Sequence, residues 1–235
     1  MERFENKSEQ HKFEENPFED ETVSQEWINS VENESGLIRD KEIYPRLNDW
    51  VQETNPEVLL EIGAGQGICS DKIPEFGGKY VGIEPSKKLV ERAMELYKSD
   101  QRDFIVGNAY DLPMQSESCD ASFAINVWFH LENLQKASSE MARVLKRNGN
   151  FLIITVNPKD YKNWLGGYEN KFEDDKKVIG KANTPVNPLS KNIFYKHSLE
   201  KIESSLKEAG LQIDSVENFG WGDREVFLVF KGHKK

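Results

Sequence analysis

From Glu57 onward, short apolar runs alternate with amphipathic stretches of helical period. That alternation predicts an α/β fold built on parallel strands. The runs at 58–60, 80–83, 104–106, 121–125 and 151–156 carry enough β-branched and aromatic residues to lie in a sheet covered on both faces. Between them, 86–98 gathers Leu89, Val90, Ala93, Met94 and Tyr97 on one helical face, and 134–146 does the same with Ala137, Met141, Val144 and Leu145. A last helix carries Leu199, Ile202, Leu206 and Ala209, with Ser198 as its N-cap and Gly210 as its stop. The final strands, 211–216 and 226–230, are joined by a link too short for a parallel crossover, so they should pair antiparallel.

Two regions break this rhythm. Before it, Trp27, Ile28 and Val31, then Ile43, Leu47 and Trp50, recur at helical spacing, which predicts a helical cap over 21–54 ahead of a main domain at 55–235. After the fifth strand, 157–196 holds Pro158, Gly166, Gly167, Gly180, Pro185 and Pro188 together with six aromatics. An insertion of that length calls for a function, and a partly helical lid over the carboxyl ends of the strands is expected.

Composition narrows the classes. The 235 residues include five Trp, seven Tyr and thirteen Phe, enough for a sizeable core, so disorder throughout is excluded. Residues 1–20 are the exception: seven acids against three bases predict a mobile acidic tail. Nothing approaches the roughly 18 consecutive apolar residues of a membrane span, and the first residues show no apolar signal region, so a cytoplasmic protein is expected, without a membrane partner. Two cysteines, Cys69 and Cys119, make neither a disulfide framework nor a metal-ligand set and are read as packing residues. The formal charge of −10 disfavours nucleic acid, whose affinity rests on Lys and Arg.

Candidate chemistry is concentrated where the first strand ends. Val58-Leu-Leu-Glu-Ile-Gly-Ala-Gly-Gln-Gly67 runs an apolar strand into glycines at alternate positions and then into a helix near Ile68. Such glycines let a ligand approach the backbone without Cβ interference. Glu61 stands just before the loop, and Glu84 ends the next strand, where a carboxylate can accept both hydroxyls of a ribose. An acid at the loop mouth would repel a pyrophosphate but suits a sulfonium and an ammonium. The spacing G-x-G-x-G also departs from the dinucleotide fingerprint G-x-G-x-x-G.

On these residues the chain resembles the class I S-adenosylmethionine-dependent methyltransferases of the broad small-molecule, methyltransferase-11-like type. The resemblance is close over about 57–156. It implies a Rossmann-like doubly wound seven-stranded sheet in the order 3-2-1-4-5-7-6 with the seventh strand reversed, and S-adenosylmethionine as cofactor. It further implies that Glu61, Gly63, Ala64, Gly65 and Gly67 wrap the methionine moiety, that Glu84 binds the ribose, and that Pro85 and Ser86 lie beside the adenine. The family segment Gly-Asp-Ala-x-x-Leu-Pro corresponds to Gly107-Asn-Ala-Tyr-Asp-Leu-Pro113, which implies cofactor contacts from Asn108, Ala109 and Tyr110, with Asn108 in place of the usual aspartate. Asn126 follows the fourth strand, where the transferred methyl should point.

His130 is the candidate general base, because an imidazole can take a proton from a hydroxyl or amine near neutral pH. Tyr195 and His197 are further candidates at the end of the lid. Trp128, Phe129, Trp164 and Tyr168 are candidate lining of an acceptor pocket. The expected function is methyl transfer to an O or N atom of a small-molecule acceptor by in-line displacement. The rivals are a nicotinamide-dependent oxidoreductase on a similar fold and a catalytically inactive, cofactor-binding regulatory protein. The N/D-P-P-Y/F signature associated with nucleic-acid amine methylation is absent, the corresponding place reading Asn126-Val-Trp-Phe129.

Overall fold

The computed structural model describes residue 18 and residues 21–33, 38–164, 168–172, 177–182 and 192–235. Its centre is a seven-stranded sheet of β1 (Val58–Ile62), β2 (Lys79–Glu84), β3 (Arg102–Val106), β4 (Cys119–Ile125), β5 (Leu145–Val156), β9 (Leu211–Trp221) and β10 (Arg224–Lys234). The order is β3-β2-β1-β4-β5-β10-β9, parallel from β3 to β5, with β10 antiparallel to both β5 and β9. This is the expected order, with the last strand reversed as the short 222–223 turn requires.

Side chains alternate across the sheet, and so separate two cores. Leu59, Ala121, Phe123, Leu152 and Ile154 point to one side, where they meet α2 (Tyr44–Thr54) through Leu47, Trp50 and Val51, and α4 (Lys87–Tyr97) through Val90 and Ala93. Leu60, Ile62, Ala124, Phe151 and Ile153 point to the other, against α5 (Leu134–Val144) and α7 (Leu199–Glu208). The helix starts follow local rules. Ser86, Asn133 and Ser198 each cap a helix by accepting from the backbone N–H three residues on, at 3.4, 3.0 and 3.2 Å. α7 stops where Gly210 takes φ +84°.

The N-terminal helix α1 (Glu21–Asn33) packs mainly on α4, and a π-helical turn, Arg39–Ile43, leads into α2. Residue 18 is the one described part of the expected acidic tail; the rest lies outside the described residues. The insertion begins with helical turns, as a partly helical segment should, and adds strands that were not expected. Beyond a 3₁₀ turn, Pro158–Asp160, and the one-turn α6 (Tyr161–Trp164), its described residues form an antiparallel sheet, β6 (Tyr168–Phe172), β7 (Lys177–Ala182) and β8 (Asn192–Tyr195), in that order. Glycines and prolines interrupt strands as readily as helices, so their presence alone did not distinguish the two. The base of the insertion is tied down by Asp160, whose carboxylate pairs with Arg224 at 2.6 Å.

Candidate functional site

The carboxyl ends of β1, β2, β3 and β4 open on a cavity of about 820 Å³. The fold places it there: in open parallel sheets the crevice lies outside the strand ends where the strand order reverses, here between β1 and β4. The glycine loop forms its floor. Gly63, Gly65 and Gly67 all have φ between +56° and +84°, and Gly63 and Ala64 donate their N–H groups to the Ile83 carbonyl at 2.7 and 3.0 Å, which pulls the loop onto β2. Gly67 does not reach the cavity. A Cβ there would come within 2.8 Å of the Phe104 ring and 2.9 Å of Ala93, so the missing side chain lets the start of α3 (Ile68–Lys72) pack closely against β3 and α4.

Glu84 is almost fully buried at the end of β2 and accepts from Gly65 N at 3.1 Å and from Ser86 N at 3.0 Å. These two amides fix the carboxylate plane at the cavity edge. Ser86, expected beside the adenine, is instead wholly buried; its hydroxyl caps α4 and donates to the Phe18 carbonyl at 2.7 Å. Pro85, Ala109 and Tyr110, named as candidate cofactor contacts, lie on the wall, and Leu89, which the sequence did not single out for the site, joins them. Asn108 lies there too, with its Oδ1 accepting from Tyr110 N at 2.8 Å, an Asx turn that shapes the loop after β3.

Glu61 lines the cavity but is rooted beneath it, 2% exposed. Tyr80 donates its hydroxyl to Glu61 Oε2, and Cys69 hydrogen-bonds to the same carboxyl. Burial raises its pKa from 4.5 to about 7; the Tyr80 and Cys69 hydrogen bonds oppose the rise, and the nearby Glu84 adds to it. Burial likewise pushes the Cys69 thiol and the Tyr80 phenol well above their usual ranges. Cys69 is thus a half-buried, protonated thiol on the cavity wall beside Glu61.

At the β4 end, Asn126 takes a left-handed conformation, φ +58°, and its buried Oδ1 has no hydrogen-bond partner among the described residues. His130 sits on the cavity wall, its ring against both Phe129 and Phe194, at 4.3 and 5.0 Å between centroids. Its Nδ1 is 2.7 Å from the Ile193 carbonyl of β8. A carbonyl only accepts, so Nδ1 carries the proton and Nε2 the lone pair. Burial lowers the His130 pKa from 6.5 to about 4, against a small opposing effect of that hydrogen bond, so the ring is neutral at physiological pH. Tyr195 joins Ile193 on the wall; His197 does not, and its Nε2 pins the Leu131 carbonyl at 2.6 Å.

Two expected acceptor contacts are corrected. Trp128 is 1% exposed and packs in the core on the α5 and α7 side of the sheet, and Phe129 is buried under Phe194 in a near-parallel stack. Both follow a strand end, where neither period 2 nor period 3.6 tells inward from outward. Trp164 and Tyr168 lie on α6 and β6, and their side chains fall outside the described residues. Unforeseen wall residues come from the N-terminal segment: Phe18, Trp27, Arg39 and Tyr44, with Lys136 of α5 at the far end. Phe18 and Trp27 stack edge to face at 5.4 Å, and the Phe18 carbonyl also receives the Ser24 hydroxyl. Phe18, beside Pro17 in an acidic stretch and nine residues before a Trp, is the one signal that could have pointed to them.

A seven-stranded sheet of this order, with a glycine loop and an acid at adjacent strand ends, defines the class I S-adenosylmethionine-dependent methyltransferase fold. Residues 60–153 match the family model described as a methyltransferase domain. Among its relatives, a demethylmenaquinone methyltransferase of Thermotoga maritima is 32% identical over 128 residues, 52% of this chain and 53% of the relative. A ubiquinone/menaquinone biosynthesis C-methyltransferase UbiE of Campylobacter jejuni is 27% identical over 158 residues, 64% of this chain and 65% of its own. The chain thus spans between half and two thirds of these relatives' length. Among solved structures, an S-adenosylmethionine-dependent methyltransferase from Clostridium acetobutylicum superposes with a TM-score of 0.68 at 15% identity, covering 87% of this chain and 99% of that one. The [4+2]-cyclase SpnF shares the fold at a TM-score of 0.58 and 19% identity, over 80% of each chain. Fold alone therefore leaves activity open.

S-adenosylmethionine is the cofactor of this class, and the residues present fit it. Gly63, Ala64 and Gly65 line the cavity, with nothing nearer than Trp27 to where a Cβ would stand on Gly65, Glu84 is fixed by two amides at its edge, and Asn126 of the wall carries a buried Oδ1 with no hydrogen-bond partner among the described residues.

Proposed function

We propose that this chain is an S-adenosylmethionine-dependent methyltransferase acting on a small, hydroxyl- or amine-bearing acceptor. The observation that carries the reading is the joining of the glycine loop to Glu84, through Gly65 N, at the floor of a cavity whose opposite wall holds His130. Glu84 would hold the ribose diol, Gly63, Ala64 and Gly65 the methionine moiety, and Pro85, Leu89, Asn108, Ala109 and Tyr110 the adenine. Bound there, the sulfonium supplies an electrophilic methyl carbon with a good thioether leaving group.

The protein's work is then alignment and exclusion of water. Ile193 and Tyr195, which line the cavity with His130, would give the acceptor an apolar surface. His130 Nε2 accepts a hydrogen bond from the acceptor O–H or N–H and takes that proton as the acceptor's lone pair forms its bond to the methyl carbon. The Ile193 carbonyl holds the imidazole in the tautomer this requires. The low His130 pKa keeps the ring neutral and ready to accept.

One of the relatives is named as a demethylmenaquinone methyltransferase and another as a ubiquinone/menaquinone biosynthesis C-methyltransferase. Proton loss from a ring hydroxyl to His130 would also activate a neighbouring ring carbon, so the same base serves a C-methylating reading. Incubation with methyl-labelled cofactor and a panel of phenols, quinols and amines tests the proposal; the position of label in the product separates O, N and C transfer. Tight cofactor binding with no labelled product across the panel would favour the regulatory alternative.

A further inference from the structure

The N-terminal segment brings a cation to the glycine-loop end of the cavity. Arg39 opens the π-helical turn Arg39–Ile43, and its guanidinium carbon lies 5.7 Å from the centroid of the Trp27 ring. Trp27 in turn holds its Nε1 3.8 Å from where a Cβ would stand on Gly65. Among the described residues no hydrogen bond or ion pair engages the Arg39 guanidinium, although it lines a cavity that also holds Glu61 and Glu84. Its charge is felt beneath the loop, where it opposes the burial that raises Cys69 and Tyr44. The other cation on the wall, Lys136, sits 5.9 Å from the Tyr110 ring centroid, at the end formed by the loop after β3.

The amino-acid end of the cofactor carries both an ammonium and a carboxylate. Two acids at the loop complement the first and repel the second, so a carboxylate lodged there needs a cation of its own. A guanidinium offers the bidentate geometry that suits it. Resting on the cofactor reading above, we propose that Arg39, laid against Trp27, binds the carboxylate of the methionine moiety, so that the N-terminal segment completes the cofactor site.

Calorimetric titration of the full chain with S-adenosylhomocysteine, and with the decarboxylated analogue that keeps its nucleoside, thioether and amine, tests this. Wild type should bind S-adenosylhomocysteine at least tenfold more tightly than the analogue. Arg39→Met should lose at least tenfold in affinity for S-adenosylhomocysteine and essentially none for the analogue, so that the two ligands converge; Arg39→Lys should fall between. An Arg39→Met chain that weakens both ligands equally, or neither, overturns the arginine assignment while leaving the cofactor reading intact. Wild type that binds neither ligand overturns both.

Discussion

Replacement of Glu61 by glutamine isolates the least expected feature of the site, an acid rooted under the glycine loop. Its pKa in the folded chain is about 7, against 4.5 for an ordinary glutamate. At 1.36 kcal/mol per unit, the charged form is disfavoured by about 3 kcal/mol. The sign follows from proton counts. Between pH 4.5 and 7 the folded state binds the proton that the unfolded state has released, so this group's contribution to stability is fully present below pH 4.5, declines as pH rises, and levels off above about 7. Glutamine mimics the neutral acid at every pH. Urea unfolding of both proteins at pH 5.5 and 8.5 should therefore show wild type losing about 2 kcal/mol more than Glu61→Gln over that interval. Tyr80 and Cys69 stay protonated throughout, since burial holds both well above their usual ranges, and other titrating groups are common to the two proteins. Parallel pH profiles would refute the reasoning. The same proton should be displaced when the cofactor's ammonium arrives, so wild type, but not Glu61→Gln, should release protons on binding S-adenosylhomocysteine near pH 6.5, read from titrations in buffers of different ionisation enthalpy.

Glu84→Ala should weaken S-adenosylhomocysteine at least tenfold while the circular dichroism spectrum stays that of the wild type; unchanged affinity would remove the ribose contact. The His130 pKa moves the other way, from 6.5 down to about 4, so its contribution of up to about 3 kcal/mol is present above pH 6.5 and is lost as pH falls toward 4. Acid unfolding of His130→Gln should be correspondingly shallower, and turnover on the true acceptor should fall. Gly67→Ala and Gly65→Ala should fail differently. The first forces a Cβ at φ +84° into Phe104 and Ala93 and should cost more than about 1 kcal/mol of stability. The second meets nothing nearer than Trp27 Nε1 at 3.8 Å, and should lose more cofactor affinity than stability.

The strands and helices were legible because each rests on a local pattern, whereas their order in the sheet came with the family resemblance that the glycine loop and Glu84 carry. Buried strands such as 151–156 alternate sides with period 2, and helices such as α4 recur at 3.6. What stayed hidden depends on contacts between distant segments. Ser86 looked like a ligand because it follows Glu84, yet its hydroxyl is occupied by capping α4 and by the Phe18 carbonyl, 68 residues earlier in the chain. Arg39 and Phe18 reach the cavity only through the path of the N-terminal segment over α4, which no spacing encodes. Trp128 was misjudged because a 3₁₀ turn, Trp128–His130, sends its three side chains in different directions, two into the core and His130 to the cavity.

The central claim is that the crevice between β1 and β4 takes an adenosyl amino acid and not a dinucleotide. Thermal unfolding with saturating ligand tests it most directly: S-adenosylhomocysteine at 100 times its dissociation constant should stabilise the chain by about 2.7 kcal/mol, and NAD(H) should not. Stabilisation by NAD(H) without stabilisation by S-adenosylhomocysteine would contradict the account.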